Sequence, residues 1–405
     1  MRLPPVRLSS VAPFLLVLAG CNDPGSVSAP AAIVRDSAGV TIVENAGLAE
    51  VGDLAWAVSE SPEVSIGVLD GDPEYQLYQV QDALRLENGH ILVANSGSGE
   101  IRVYDAEGTY LDSWGGQGEG PGEFAHTTAV VPWPGTDSVA VWDLRLSRLS
   151  LFDRQGSYGR TERFSEAGGL QRARSVWTLP SGRLVLMGLE FGDLSEADGM
   201  SRVPERFVLI DRDGSPVSEV GDFPGLETWM QASGEALNII RLPLARGNVA
   251  AQVGDGMVIG SNESFQLSFF DAEGRRTRIA RVATPPTEVT EALVQREVEF
   301  RASGMPEEAR AGYRASMSEI PAPETLPVFS EVLDDPLGYA WVRLFQLPSE
   351  TGPTEWAVFD SVGVLLGRVL TPEGLQVHQI GADFVVGSWE DELDIEHVQV
   401  WGLRR

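Results

Sequence analysis

The stretch Ile101-Arg102-Val103-Tyr104-Asp105-Ala106-Glu107-Gly108 decides the fold, because its second half keeps returning. Tyr104-Asp105-Ala106-Glu107-Gly108 is followed by Phe152-Asp153-Arg154-Gln155-Gly156, Ile210-Asp211-Arg212-Asp213-Gly214, Phe270-Asp271-Ala272-Glu273-Gly274 and Phe359-Asp360-Ser361-Val362-Gly363. In each copy an apolar residue ends a half-buried strand. The Asp side chain then takes backbone N–H groups to start a turn, and the Gly supplies the positive φ that the turn needs. An earlier strand precedes each copy: Ile91 to Asn95, Val139 to Asp143, Leu184 to Gly188, Met257 to Ser261 and Ala340 to Leu344. Phe384 to Ser388 and Val398 to Gly402 form a sixth pair that runs out of chain before its turn. A unit of roughly 45 residues with several strands per copy is the mark of a β-propeller, whose sheets bury their faces only against one another.

The reading is therefore an all-β, six-bladed β-propeller occupying 33–405 as one domain. The last blade lacks an outer strand, so the N-terminal region must supply one and close the ring. Glu63 to Gly67 is the expected closing strand, with Val40 to Glu44 as the second option. Two segments break the period. Leu189 to Glu205 is an acidic loop insertion in blade three. Residues 288–319 carry Val289, Leu293, Val294 and Val298 at helical spacing, with a second helical stretch from Pro306 to Met317, so a short helical insertion falls between blades four and five. It is expected to cover one face of the disc rather than dock a partner.

The chain ahead of the repeat reads as an address. Arg2 and Arg7 precede the apolar run Val11 to Ala19, which is too short to span a bilayer, so 1–21 read as an export signal. Leu18-Ala19-Gly20-Cys21 resembles the lipobox of bacterial lipoproteins, which implies an acylated Cys21 as membrane anchor. Cys21 is the single cysteine of the chain. Asn22 after it implies the outer membrane, and 22–32, rich in Pro, Gly, Ser and Ala, read as a flexible tether. The formal net charge of −29, with no lysine anywhere, argues against nucleic-acid binding. A monomer is expected.

With Gly116-Gln117-Gly118-Glu119-Gly120-Pro121-Gly122-Glu123-Phe124 after blade one, the chain resembles NHL-type propellers at the inter-blade linker. With the helical insert leading into Pro327-Val328-Phe329, it resembles six-bladed propeller lipoproteins of Gram-negative bacteria. That resemblance implies a fold and an address and no assigned activity. The glycines are not a phosphate cradle, since Phe124 leads into a strand and not a helix.

Candidate chemistry is sparse. Asn95, Asp143 and Asn262 end second strands at matching positions, with Glu190, Glu263 and Glu390 nearby, and a Ca²⁺ site needs oxygen ligands of this kind. The competing reading is that Asn and Asp are turn-starters. His126, just past the linker, is the one histidine placed to act as a base at the channel mouth. No Gly-x-Ser-x-Gly elbow occurs. Arg172, Arg174, Arg241 and Arg246 precede inner strands and suit a carboxylate or sugar-acid ligand, unless acidic neighbours consume them. Trp229 and Trp389, assigned to loops, are candidate stacking surfaces. The first reading is a lipid-anchored envelope module that binds a protein, peptide or glycan. The alternative is a Ca²⁺-assisted hydrolase or lyase of the gluconolactonase, paraoxonase or amidating-lyase kind.

Overall fold

The computed structural model describes residues 32–405 except 165–166, 171, 192–197 and 234–235. The export signal, Cys21 and nearly all of the tether therefore lie outside the described residues. Blade one comprises Val80–Arg85, Ile91–Asn95, Glu100–Tyr104 and Tyr110–Gly115, an antiparallel meander from the channel outward. Blade two spans Thr127–Pro132 to Tyr158–Arg163, blade three Ala173–Thr178 to Pro216–Phe223, blade four Asn248–Val253 to Arg276–Val282, and blade five Phe329–Asp334 to Leu365–Thr371. Blade six has three strands from the C-terminal end of the chain, Gln376–Ile380, Phe384–Glu390 and Glu396–Arg404. Its fourth is Val64–Ile66, which pairs antiparallel with Val398–Val400. The ring thus closes with the expected segment. Val40–Asn45 is also a strand, but it joins the rim of blade four, parallel to Arg276–Val282, with Ile33–Ser37 outside it.

The seams between blades carry the packing. Successive residues of a strand point to opposite faces, so in blade one Leu92 and Ala94 pack towards blade two while Ile91 and Val93 pack towards blade six. That double burial makes the second strands read as unbroken apolar runs. Six apolar clusters result, one for each pair of neighbouring blades. Trp142, Trp341 and Trp356 are among the largest fully buried side chains. Four of the five turns form as read: Asp105 Oδ1 accepts the N–H groups of Glu107 and Thr109 at 3.1 and 2.7 Å, Asp360 does the same for Val362 and Val364 at 2.9 and 2.8 Å, and Asp153 and Asp271 act alike, whereas in blade three Asp213 takes the Ser215 N–H and Asp211 meets Arg183. Gly156 shows why glycine recurs there. Its φ is +81°, and a Cβ would drive into the indole of Trp114.

Strand alternation brings two sets of connections to one face of the disc: those entering each inner strand and those joining second to third strands. The excursions all belong to these sets. The helical insertion is an antiparallel pair, α1 (Glu291–Ser303) and α2 (Glu307–Ser318), capped at its start by the Thr290 hydroxyl on Leu293 N–H. The buried carboxylate of Glu297 ties α1 to Ser349 in blade five. Neither helix contributes to the lining of the central channel cavity, which the six inner strands supply together with Arg343. The expected loop at Leu189 to Glu205 contains a strand, Asp198–Arg202. It joins the hairpin Glu227–Ser233 and Ala236–Arg241 in a separate three-stranded sheet. The polar Asp198-Gly199-Met200-Ser201-Arg202 has no strand signature of its own, and its pairing partner lies in the next connection.

Candidate functional site at the arginine-lined mouth

The site begins with Asp143, the fully buried last residue of a second strand. Its Oδ2 accepts the N–H groups of Ala125 and His126 at 2.7 and 3.2 Å, and its Oδ1 accepts Leu146 N–H at 2.9 Å. One carboxylate thereby fixes the segment entering blade two and the turn after its second strand. Between blades two and three these segments enclose a cavity of about 630 Å³, lined by Ala125, His126, Leu144, Arg145, Arg172, Arg174, Leu189 and Phe191. The Arg172 guanidinium is oriented by carbonyls: Nη2 donates to Leu144 and Arg145 oxygens at 2.9 and 3.0 Å, and Nε to Ser147 Oγ at 3.0 Å. Arg174 is fixed through its carbonyl, which accepts the buried Trp142 indole N–H at 3.1 Å. His126 Nδ1 lies 3.5 Å from Ser96 Oγ. Among the described residues no carboxylate forms an ion pair with Arg145, Arg172 or Arg174. The Glu205 carboxyl feels the Arg174 charge, which offsets part of the rise that burial imposes on it.

Three sequence candidates, His126, Arg172 and Arg174, therefore share one cavity, and Arg145 joins them unanticipated. The others do not. Arg241 stands opposite Thr228 in the three-stranded sheet. Arg246 is consumed by Glu227, whose Oε1 accepts its Nε at 2.9 Å and whose Oε2 accepts its backbone N–H at 2.9 Å. Trp229 and Trp389 lie in strands, not loops. Trp229 is paired between Met200 and Ile240, and Trp389 packs on His397 with ring centroids 5.7 Å apart.

Asn95 and Asp143 occupy equivalent positions, opposite Glu100 and Arg148, but the matching residue of blade four is Ser261, opposite Gln266, and Asn262 lies one residue further on. Each of the three nevertheless bonds the segment that enters its own blade. Asn95 Oδ1 accepts Tyr78 N–H at 2.7 Å, and Asn262 Oδ1 accepts Gly247 N–H at 2.8 Å while its amide donates to Phe329 O at 3.1 Å. The recurrence is a clamp. Glu390 ends its strand exposed to solvent, Glu190 lies 3.5 Å from Arg206, and Glu263 pairs with Arg202. Among the described residues no group of three or more His, Cys, Asp or Glu side chains is placed to hold a metal ion.

The central channel holds a second set of titratable groups that sequence reading passed over. Its cavity, about 640 Å³, is lined among others by Asp82, Glu331, Asp334, Arg343 and His378. Burial pushes Asp82 up to about 7, with nearby Glu331 adding to the effect, and burial beside Asp335 pushes Asp334 up to about 7. Burial also raises Glu331 and lowers His378 to about 4. Glu331 lies 3.5 Å from Arg343, and Gln376 bridges the two. These residues look like ordinary strand positions in sequence because they are spread over blades one, five and six.

No family model and no curated protein matches the chain. Solved structures do. A candidate exported protein from Bacteroides fragilis is 12% identical, with 90% of this chain and 99% of that one covered at a TM-score of 0.50. A member of the DUF4221 family from Bacteroides vulgatus is 12% identical over 86% and 99%, with a TM-score of 0.52. Virginiamycin B lyase from Staphylococcus aureus is 8% identical over 86% and 99%, with a TM-score of 0.40. At these identities the likeness concerns the fold: the chain is an all-β, six-bladed propeller.

Proposed function

We propose that this propeller is an exported recognition module, held to the cell envelope through Cys21, that binds the acidic group of a protein, peptide or glycan ligand at the mouth between blades two and three. The observation that carries this reading is the convergence of Arg145, Arg172, Arg174 and His126 on one cavity, with no ion pair to a carboxylate among the described residues. Guanidinium groups set in a rigid frame suit carboxylate recognition, because the fork matches the anion and little side-chain freedom is lost on binding. Phe191, Leu144 and Leu189 add an apolar wall for the rest of the ligand. An overall negative charge would repel anions, so selectivity comes from this local field.

The test is calorimetric titration of the protein with glucuronate, citrate and a glutamate-rich peptide, with neutral maltose as comparison. Charge-assisted hydrogen bonds contribute about 1.5–3 kcal/mol each, so Arg145→Glu or Arg174→Glu should weaken the anionic probes by roughly 10- to 100-fold. Equal affinity for neutral and anionic probes, or anion binding unchanged in both variants, would refute the assignment.

A further inference from the structure

A second site lies where blades six and one meet, and the recognition reading makes no use of it. His378, on the inner strand of blade six, reaches in two directions. Its Nε2 lies 2.9 Å from Ser388 Oγ, and its Nδ1 lies 3.7 Å from Asp82 Oδ1 on the inner strand of blade one. The carboxylate is itself held, with Oδ2 accepting Val130 N–H at 2.8 Å and Oδ1 accepting Ala83 N–H at 2.9 Å. The aim of the imidazole has a local cause, a bulge that the inner strands of blades one, three and five share. Pairing between Gln376–Ile380 and Phe384–Glu390 skips from Val377 opposite Gly387 to Gln379 opposite Val386, which leaves His378 as the extra residue of a bulge. Such a bulge redirects a side chain out of the alternating pattern.

Nδ1 faces the Asp82 carboxyl across 3.7 Å, longer than a hydrogen bond, and a tautomer with its proton on Nδ1 would leave Nε2 to accept the hydroxyl proton of Ser388. That tautomer is the one a serine nucleophile needs. Burial keeps the ring in its neutral, proton-accepting form at neutral pH. The three groups stand on three strands rather than on loops, so their spacing is rigid. Asp82 and His378 both line the channel cavity of about 640 Å³, which is large enough for a small organic substrate; Ser388 is not one of its lining residues and stands half-buried on the neighbouring strand, 2.9 Å from His378 Nε2.

The geometry points to an acyl-transfer site at the channel wall, with Ser388 as nucleophile, His378 as general base and acid, Asp82 as positioning residue, and a small carboxylic ester as substrate. Ser388 Oγ forms a bond to the ester carbonyl carbon as its proton passes to His378 Nε2. The carbon–alkoxy bond then breaks, and the alkoxide leaves as an alcohol with that proton. Water attacks the acyl-serine, gives its proton to Nε2, and releases the carboxylic acid while Ser388 regains a proton.

The direct test needs no substitution. The full-length protein is treated with a fluorophosphonate probe and digested, and the labelled peptide is identified by mass. Labelling on Ser388 is expected, absent from Ser388→Ala. With p-nitrophenyl butyrate as substrate, His378→Gln should lower turnover by roughly 10³- to 10⁴-fold. Asp82→Asn should lower kcat with KM unchanged, whereas a merely structural role would lower the melting temperature and leave the kcat of the folded fraction intact. An unlabelled Ser388 in the wild-type protein, or labelling equally fast in His378→Gln, overturns the proposal. The labelling of Ser388 is read independently of the anion titration, so the two sites stand or fall separately.

Discussion

Replacing Arg405, the final residue, by alanine should destabilise the ring by about 3 kcal/mol. Its Nη2 lies 2.8 Å from Asp335 Oδ2 and also donates to Gly381 O at 2.9 Å. The guanidinium carbon stands 4.8 Å from the ring centre of Trp56, with Tyr339 and Trp341 at 5.6 and 6.0 Å. The Asp335 side chain is wholly buried. Breaking a buried pair by removing one partner costs about 3–5 kcal/mol, because a charge is left without compensation. Asp335 keeps the N–H groups of Leu337 and Tyr339 and the Trp341 indole, which places the cost at the lower end of that range. At roughly 2 cal/mol/K per residue, a domain of this size unfolds with an entropy of about 0.8 kcal/mol/K, so ~3 kcal/mol lowers Tm by about 4 °C. Differential scanning calorimetry reads the shift. Adding Asp335→Asn to Arg405→Ala should recover part of the loss, since a neutral amide is cheaper to bury than a lone carboxylate. A single variant that melts within 1 °C of the wild type, or a double variant that loses a further several degrees, would refute the reasoning.

Gly67→Ala tests closure of the ring. Gly67 has φ +142°, and its Cβ would collide with the backbone carbonyl of Glu396 in the last strand. The variant should melt several degrees lower and lose hydrogen-exchange protection first in 64–66 and 398–400, and unchanged protection there would contradict the closing role. The channel groups also make stability depend on pH. Asp82 and Asp334 are raised from the ordinary 3.8 to about 7, so their contribution is complete below pH 4 and is lost as pH rises through 7. His378 acts in the opposite sense: lowered from 6.5 to about 4, it contributes stability above pH 6.5 that is lost as pH falls towards 4. Melting curves between pH 4 and 8 should therefore show Asp334→Asn losing less stability than the wild type as pH rises, and parallel curves would contradict the assignment.

The repeat made the architecture readable because one physical requirement, double-sided burial, is imposed six times on the same strands. Even the closing strand could be found, since the missing fourth strand of blade six had to come from a segment ahead of blade one. The three-stranded sheet at 198–241 left no such trace. Its strands come from two different connections, and pairing between distant loops has no period. The acid and histidine positions of the channel escaped for a related reason: Asp82, Glu331 and His378 lie on three blades and meet only when the ring closes.

The clamps explain why the oxygen-ligand pattern was legible yet meant something else. A strand end next to the channel must satisfy the N–H groups of the segment that enters the same blade, and Asn95 and Asp143 do this from one position in two blades while Asn262 does it from the next position in a third. Their regular recurrence therefore follows from sheet geometry, and regularity is a property of the scaffold. A group that serves a ligand should be recognised in the opposite way, by bonding capacity that its own blade does not use up. Arg246 fails that criterion, since Glu227 takes both its guanidinium and its backbone N–H. Arg145 and Arg174 meet it, because both line the mouth cavity and neither forms an ion pair with a carboxylate among the described residues. Asp143 connects the two kinds of residue: by clamping Ala125, His126 and Leu146 it builds the frame on which the arginine mouth is displayed.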